Sequence, residues 1–139
     1  MIILIDTNVI LDCLIPRQPF EDNANKILQL CFEQKCTGYI AALSVTNIFY
    51  ILRKQFSIIE RKKLLLSLCE FIEIAGIQKK LVFDALKNDN LNDLEDCLQI
   101  ECAGMIKAEY IVTRNVVDFK DSPVPAVLPE DFIKKMIKQ

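Results

Sequence analysis

The 139 residues contain no histidine and no tryptophan, and only three glycines, Gly38, Gly76 and Gly104. Without an imidazole there can be no Ser-His-Asp triad, no histidine base and no histidine-ligated zinc. Without clustered glycines there is neither a P-loop nor a dinucleotide fingerprint, since both need closely spaced glycines to bring backbone N–H groups onto phosphate. No apolar run approaches the ~18 residues of a membrane span, so no membrane partner is expected. The opening Met-Ile-Ile-Leu-Ile is too short and too uncharged for a signal peptide. With 17 Lys and Arg against 19 Asp and Glu, the net charge of −2 gives no bulk sign of nucleic-acid binding. The local basic groups, Arg53-Lys54, Arg61-Lys62-Lys63, Lys79-Lys80 and the Lys134, Lys135, Lys138 tail, read first as solvated helix faces. The remaining chemistry must use carboxylates, hydroxyls, amides, thiols, Lys or Arg.

What is present is a chain 52% hydrophobic and 26% charged, long enough for one domain over 1–139 with a good-sized core. Six cysteines (Cys13, Cys31, Cys36, Cys69, Cys97, Cys102) include no C-x-x-C pair and read as reduced cytosolic thiols packed like small hydrophobes. The apolar run Ile2 to Ile5 suits a strand buried on both faces, as in a parallel sheet. A helical turn through Asp12 and an amphipathic helix from Glu21 to Phe32 follow. Further strands are expected at Tyr39–Ala42, Phe71–Ile77, Tyr110–Thr113 and Val127–Leu128. Helices are expected to begin with Ser44 as cap, with Ser57, at Lys79, at Asp93 and with Pro129 in a first turn. Strands alternating with helices predict a three-layer α/β/α sandwich around a mainly parallel sheet of four to five strands.

In such a sheet ligands bind beyond the carboxyl ends of the strands, near a switch in strand order. Asp6 directly follows the first strand; its alternative reading is a helix N-cap. The run Asp93-Leu-Glu95-Asp96 puts Asp93 and Asp96 on one helix face, while Glu95 is expected to point elsewhere and pair with Gln99. Thr113-Arg-Asn115-Val-Val-Asp118 forms a polar turn after the fourth strand, with Asp118 alternatively capping a short helix. If Asp6, Asp96 and Asp118 converge, each like-charged pair at ~4 Å and an effective dielectric of ~20 costs about 4 kcal/mol. A bound proton or a bound cation offsets that. An all-oxygen site favours Mg²⁺ or Mn²⁺ over zinc, and hard cations held by acids suit metal-assisted phosphodiester hydrolysis.

Four segments in order, Ile5-Asp6-Thr-Asn-Val-Ile-Leu-Asp12, Ser44-Val-Thr-Asn47-Ile-Phe-Tyr-Ile-Leu-Arg53, Leu94-Glu-Asp96-Cys-Leu-Gln99 and Tyr110-Ile-Val-Thr-Arg-Asn115-Val-Val-Asp118-Phe, resemble the PIN domain, in particular VapC-like toxin ribonucleases and their bacterial stand-alone relatives. The resemblance covers essentially the whole chain. It implies a metal-dependent endoribonuclease acting on single-stranded RNA, typically a cytoplasmic homodimer inhibited by a small antitoxin protein. Carried over by position, Asp6 matches the first acid, Asp96 the third, and Asp118 or Asn115 the fourth. The second acid should be a Glu, and Asn47 stands there instead. That substitution, with neutral Asn115, implies lower metal affinity, with Asp93 or Glu95 as auxiliary ligands. The alternative is a catalytically weakened RNA-binding or protein-interaction module; a small-molecule phosphohydrolase using the same acids is a third reading.

Overall fold

Residues 1–89 and 93–139 are described by a computed structural model. Strand β1 (Ile2–Ile5) is the middle of a five-stranded sheet completed by β2 (Thr37–Ala41), β3 (Glu73–Ala75), β4 (Tyr110–Val112) and β5 (Ala126–Val127). The order is β3-β2-β1-β4-β5 and every pairing is parallel. Among the described residues seven α-helices flank it: α1 (Thr7–Leu14), α2 (Glu21–Phe32), α3 (Ala42–Ile51), α4 (Ile58–Cys69), α5 (Lys79–Leu86), α6 (Leu94–Met105) and α7 (Pro129–Ile137).

The apolar run of β1 is read correctly as doubly buried. Ile3 and Ile5 join a core with Ile10 of α1, Ile27 of α2, Ile48 of α3, Leu65 of α4 and Phe132 of α7. Leu4 joins a second core with Leu81 of α5, Ile100 and Cys102 of α6, and Phe119. The period of two along a strand therefore sends alternate side chains into separate cores, which gives the expected α/β/α layering. Each fully buried Ile or Leu contributes roughly 1.5–3 kcal/mol, so the sheet is fixed from both sides.

Several local signals act as expected. Ser57 and Glu60 form a reciprocal capping box at the start of α4, and Pro129 occupies the first turn of α7. Ser44 does not cap. Strand β2 runs straight into α3, whose N-cap position is Ala41, and Ser44 lies buried inside the first turn, where its Oγ accepts from Thr7 Oγ1 at 2.8 Å. All six cysteines are free thiols; Cys31, Cys36, Cys97 and Cys102 are buried as expected, Cys13 is half-buried, and Cys69 is exposed. Burial raises the Cys102 thiol to about 11 and, with Asp12 and Glu21 nearby, the Cys13 thiol to about 12. No described helix is long and apolar enough to cross a membrane.

Gly38 in β2 is required by packing rather than by backbone conformation. A Cβ there would stand 2.6 Å from Cys31 Sγ and 3.0 Å from both Ile5 Cδ1 and Ile72 Cδ1. Gly38→Ala should therefore overpack this core and destabilise the protein by about 1–3 kcal/mol in urea unfolding. Adding Cys31→Ala, which removes the closest atom, should recover part of the loss. Equal stabilities for Gly38→Ala and the parent would contradict the packing account.

Candidate active site at the carboxyl edge of the sheet

From β1 the chain builds outward through β2 and β3, then returns to the other side of β1 for β4 and β5. Beyond their carboxyl ends β1 and β4 are followed by connections leading in opposite directions, and a crevice opens between them. Asp6 immediately follows β1 and Thr113 immediately follows β4. The Asp6 N–H extends the ladder by donating to the Val112 carbonyl at 2.9 Å. Its backbone occupies the N-cap position of α1, yet the side chain makes no capping bond. The carboxylate instead accepts from Gln99 Nε2 at 3.1 Å on Oδ1 and from Thr113 Oγ1 at 2.8 Å on Oδ2. Asp6, Thr113 and Gln99 are all buried. Burying a carboxylate is tolerable when donors meet it, and one donor per oxygen leaves further lone pairs on each.

A cleft of about 340 Å³ opens at this point, lined by Asp6, Asp96 and Asp118, by Asp93 and Glu95, and by the amides of Asn8, Asn47 and Asn115. Among the described residues Thr7, Tyr50 and Ile51 complete the lining, and no Lys or Arg belongs to it. The three acids singled out from sequence thus share one cleft, as do Asn47, Asp93, Glu95 and Asn115 of the five auxiliary residues, Asn47, Asp93, Glu95, Thr113 and Asn115. The fifth, Thr113, lies behind Asp6, where its hydroxyl also accepts from the Asn115 N–H at 3.0 Å. Asp118 does not cap the 3-10 turn Val116–Phe119; Asn115 holds the N-cap position and Asp118 lies within the turn. Asp93 is the N-cap of α6, its Oδ1 accepting from the N–H groups of Glu95 at 2.8 Å and Asp96 at 3.4 Å.

The expected Glu95–Gln99 pair does not form. Gln99 is on the buried face of α6, where its amide needs an interior partner and finds Asp6. Glu95, one turn earlier, reaches the cleft, where its Oε1 is 3.3 Å from Thr7 Oγ1. Gln99 Oε1 is a buried acceptor with no hydrogen-bond partner among the described residues.

Burial and the crowding of negative charge act together on Asp96. Burial, followed by the charges of Asp93, Asp6, Asp118 and Glu95, raises the Asp96 carboxyl from 3.8 to about 7. Among the described residues no three Asp, Glu or Cys side chains form a ready-made metal-binding group; the acids line a common cleft without closing on one point. Behind the cleft, buried Asp12 of α1 accepts from Arg114 Nε at 2.8 Å and Nη2 at 3.3 Å, with Arg17 Nη1 at 3.9 Å. The Arg114 guanidinium also lies 4.1 Å from the centroid of the Phe20 ring. This ion pair ties α1 to the segment carrying Asn115 and Asp118.

The family model described as PIN domain matches residues 2–117. The chain belongs to the PIN domain family. No curated protein matches it by sequence. Among solved structures, it is similar to the VapBC2 complex of Rickettsia felis bound to a promoter DNA fragment, at 18% identity and a TM-score of 0.69, over 92% of this chain and 98% of that one. It is also similar to a toxin–antitoxin complex from Klebsiella pneumoniae, at 20% identity and a TM-score of 0.70, covering 91% and 96% of the two chains. VapC20 of Mycobacterium tuberculosis, described as a sarcin-ricin loop cleaving toxin, matches at 12% identity and a TM-score of 0.69, covering 91% and 99%. At these identities the likeness establishes the shared PIN fold.

The inner supports of this PIN cleft, Gln99 and the Asp12–Arg114 pair, escape sequence reasoning. Gln99 sits three residues beyond Asp96 on the same helix, a spacing visible in sequence, but nothing there says that its amide turns inward. Removing one partner of a buried ion pair strands the other, at about 3–5 kcal/mol. Arg114→Met should therefore approach that loss in denaturant unfolding, moderated by Arg17; a change below 1 kcal/mol would mean the pair carries no structural weight.

Asp96 gives a pH prediction. Because its folded value lies above its ordinary one, ionising it opposes folding. The penalty is absent below pH ~4, grows between ~4 and ~7, and is complete above. In metal-free buffer Asp96→Asn should raise Tm over the parent at pH 8, with the gain vanishing at pH 4. A gain independent of pH would refute the electrostatic origin.

Proposed function

We propose that this PIN protein is a divalent-metal-dependent endoribonuclease that cleaves single-stranded RNA, acting as a toxin restrained by an antitoxin protein. The carrying observation is the cleft itself: among the described residues its lining holds five carboxylates and three amides with no cationic side chain, and burial together with the acidic neighbours raises the Asp96 carboxyl. Such a donor set fits a hard, oxygen-seeking cation, Mg²⁺ or Mn²⁺, and the excess negative charge is what that cation would neutralise. Supporting the toxin reading, the Rickettsia and Klebsiella relatives are toxin–antitoxin assemblies and the mycobacterial one is described as an RNA-loop-cleaving toxin. In this reading residues 1–139 act as one domain, in the cytoplasm and as a homodimer.

Asp6, Asp96 and Asp118 would hold the ion, with Asn47, Asn115, Asp93 and Glu95 as auxiliary oxygen donors. When bound, it supplies Lewis-acid polarisation of the phosphodiester and a more acidic water. Gln99 and Thr113 hold Asp6 so that its free lone pairs remain available to the cleft. The Asp12–Arg114 pair holds the segment bearing Asn115 and Asp118 against α1. In hydrolysis the water oxygen would bond to phosphorus as the bond to the leaving 3′-oxygen breaks; a carboxylate of the cleft would take the proton that the water loses, and the 3′-oxygen would take one from solvent to leave as a hydroxyl.

Asp6→Asn should abolish Mn²⁺-dependent cleavage of defined single-stranded RNAs and weaken Mn²⁺ binding measured by electron paramagnetic resonance. Cleavage that persists unchanged in that variant, or that survives EDTA in the parent, removes the assignment. Asn47 supports a second reading, a weakened PIN protein that binds RNA or protein without appreciable turnover, because a neutral amide stands where the family resemblance calls for Glu. Asn47→Glu should then raise Mn²⁺ affinity, on the order of tenfold, or switch on cleavage. Loss of Mn²⁺ affinity in this variant would place Asn47 outside the coordinating set.

A further inference from the structure

An RNA strand entering a cleft lined by five carboxylates meets repulsion at every phosphate it does not share with a cation. Productive binding therefore needs attraction at the rim. Arg114, although next to Asn115, is committed to Asp12 through two hydrogen bonds and stacked on Phe20. The cation in contact with a residue of the cleft wall and free of any carboxylate partner among the described residues is Arg53. Its guanidinium carbon lies 3.8 Å from the centroid of the Tyr50 ring, and its Nη1 donates to the Tyr50 carbonyl at 3.0 Å. Among the described residues Tyr50 is the one aromatic ring lining the cleft, and it is 61% exposed although Ile48 and Leu52, two residues to either side, are fully buried.

We propose that Tyr50 and Arg53 form a nucleotide-binding subsite beside the scissile position: an unpaired base stacks on the face of the phenol ring left open, and the guanidinium meets the adjoining phosphate. This rests on the ribonuclease reading and adds to it the element that seats the substrate. The chemistry matches that of sequence-tolerant single-strand binding, an aromatic platform beside a positive charge. Because Arg53 is already folded onto the ring and bonded to the backbone, less side-chain freedom is lost when a strand arrives. The geometry also selects against duplexes, whose bases present no free face to a ring.

The test is binding of a 5′-labelled single-stranded RNA octamer to the full chain by fluorescence anisotropy, with Ca²⁺ replacing Mn²⁺ to suppress cleavage. Tyr50→Ala should weaken binding on the order of tenfold, while Tyr50→Trp, which keeps a stacking face, retains it. A single abasic nucleotide at the stacked position should erase the difference between the parent and Tyr50→Ala. Arg53→Ala should weaken binding and lower the slope of log K against log salt by about 0.7. Tm of each variant separates these effects from misfolding, and retained affinity in Tyr50→Trp does so independently.

Parent-like affinity in Tyr50→Ala at every abasic position overturns the subsite. So does a Tyr50→Ala protein that binds RNA normally but sediments as a smaller species than the parent, since Tyr50 would then be a subunit contact. If the parent cleaves RNA in Mn²⁺ while the Tyr50 and Arg53 variants bind normally, only the subsite falls. If the parent neither binds nor cleaves single-stranded RNA, the ribonuclease reading falls and takes the subsite with it.

Discussion

A carboxylate held at the end of a buried strand organises this protein. Asp6 sits where β1 and β4 part, bridged to β4 through its own N–H and through the Thr113 hydroxyl, and to α6 through Gln99. Three elements distant in sequence thereby meet at one side chain. A buried acid stripped of these donors would carry an unmet desolvation penalty. The hydrogen bonds therefore both permit its burial and fix the direction of its remaining lone pairs.

Around that point the structure accumulates like charge instead of dispersing it. Asp93 has a structural reason to be there, since it caps α6. Among the described residues, Asp96, Asp118 and Glu95 make no hydrogen bond or ion pair through their carboxylates beyond the Thr7 contact of Glu95, and burial followed by the neighbouring charges raises the Asp96 carboxyl. A fold that bears such a local cost without structural return is arranged for a counter-charge, and this is the physical core of the ribonuclease proposal. The neighbouring ion pair of buried Asp12 and half-buried Arg114 follows the opposite logic: its charges are matched and spent on holding the frame.

Most of the architecture was legible in the residue pattern. Ile2 to Ile5 announced a doubly covered strand, Ser57 announced a helix start, and Pro129 announced another. Asp6 and Asp118 could be placed near one another because topology puts residues that follow parallel strands at a common edge, and Asp96 joins them because the helix that leads into the fourth strand starts at that edge. Ser44 misled because a serine before an apolar helical stripe looks like a cap whether the strand stops short of it or, as here, runs directly into the helix. Gln99 misled because i,i+4 spacing describes an exposed helix surface, whereas this position faces inward and takes its partner from 93 residues away in the chain. Arg114 went unnoticed for the same reason: its partner Asp12 is 102 residues distant, and local periodicity carries no information about such pairs.

The direct passage of β2 into α3 has a mechanical corollary. Asn47 at the cleft and Tyr50 at its mouth ride on a helix that begins where a central strand ends, with no joint between them. The depth of the acidic basin and the reach of its entrance are thus machined into one rigid part. Altering what the mouth admits calls for exchanging side chains along α3 rather than swinging a door.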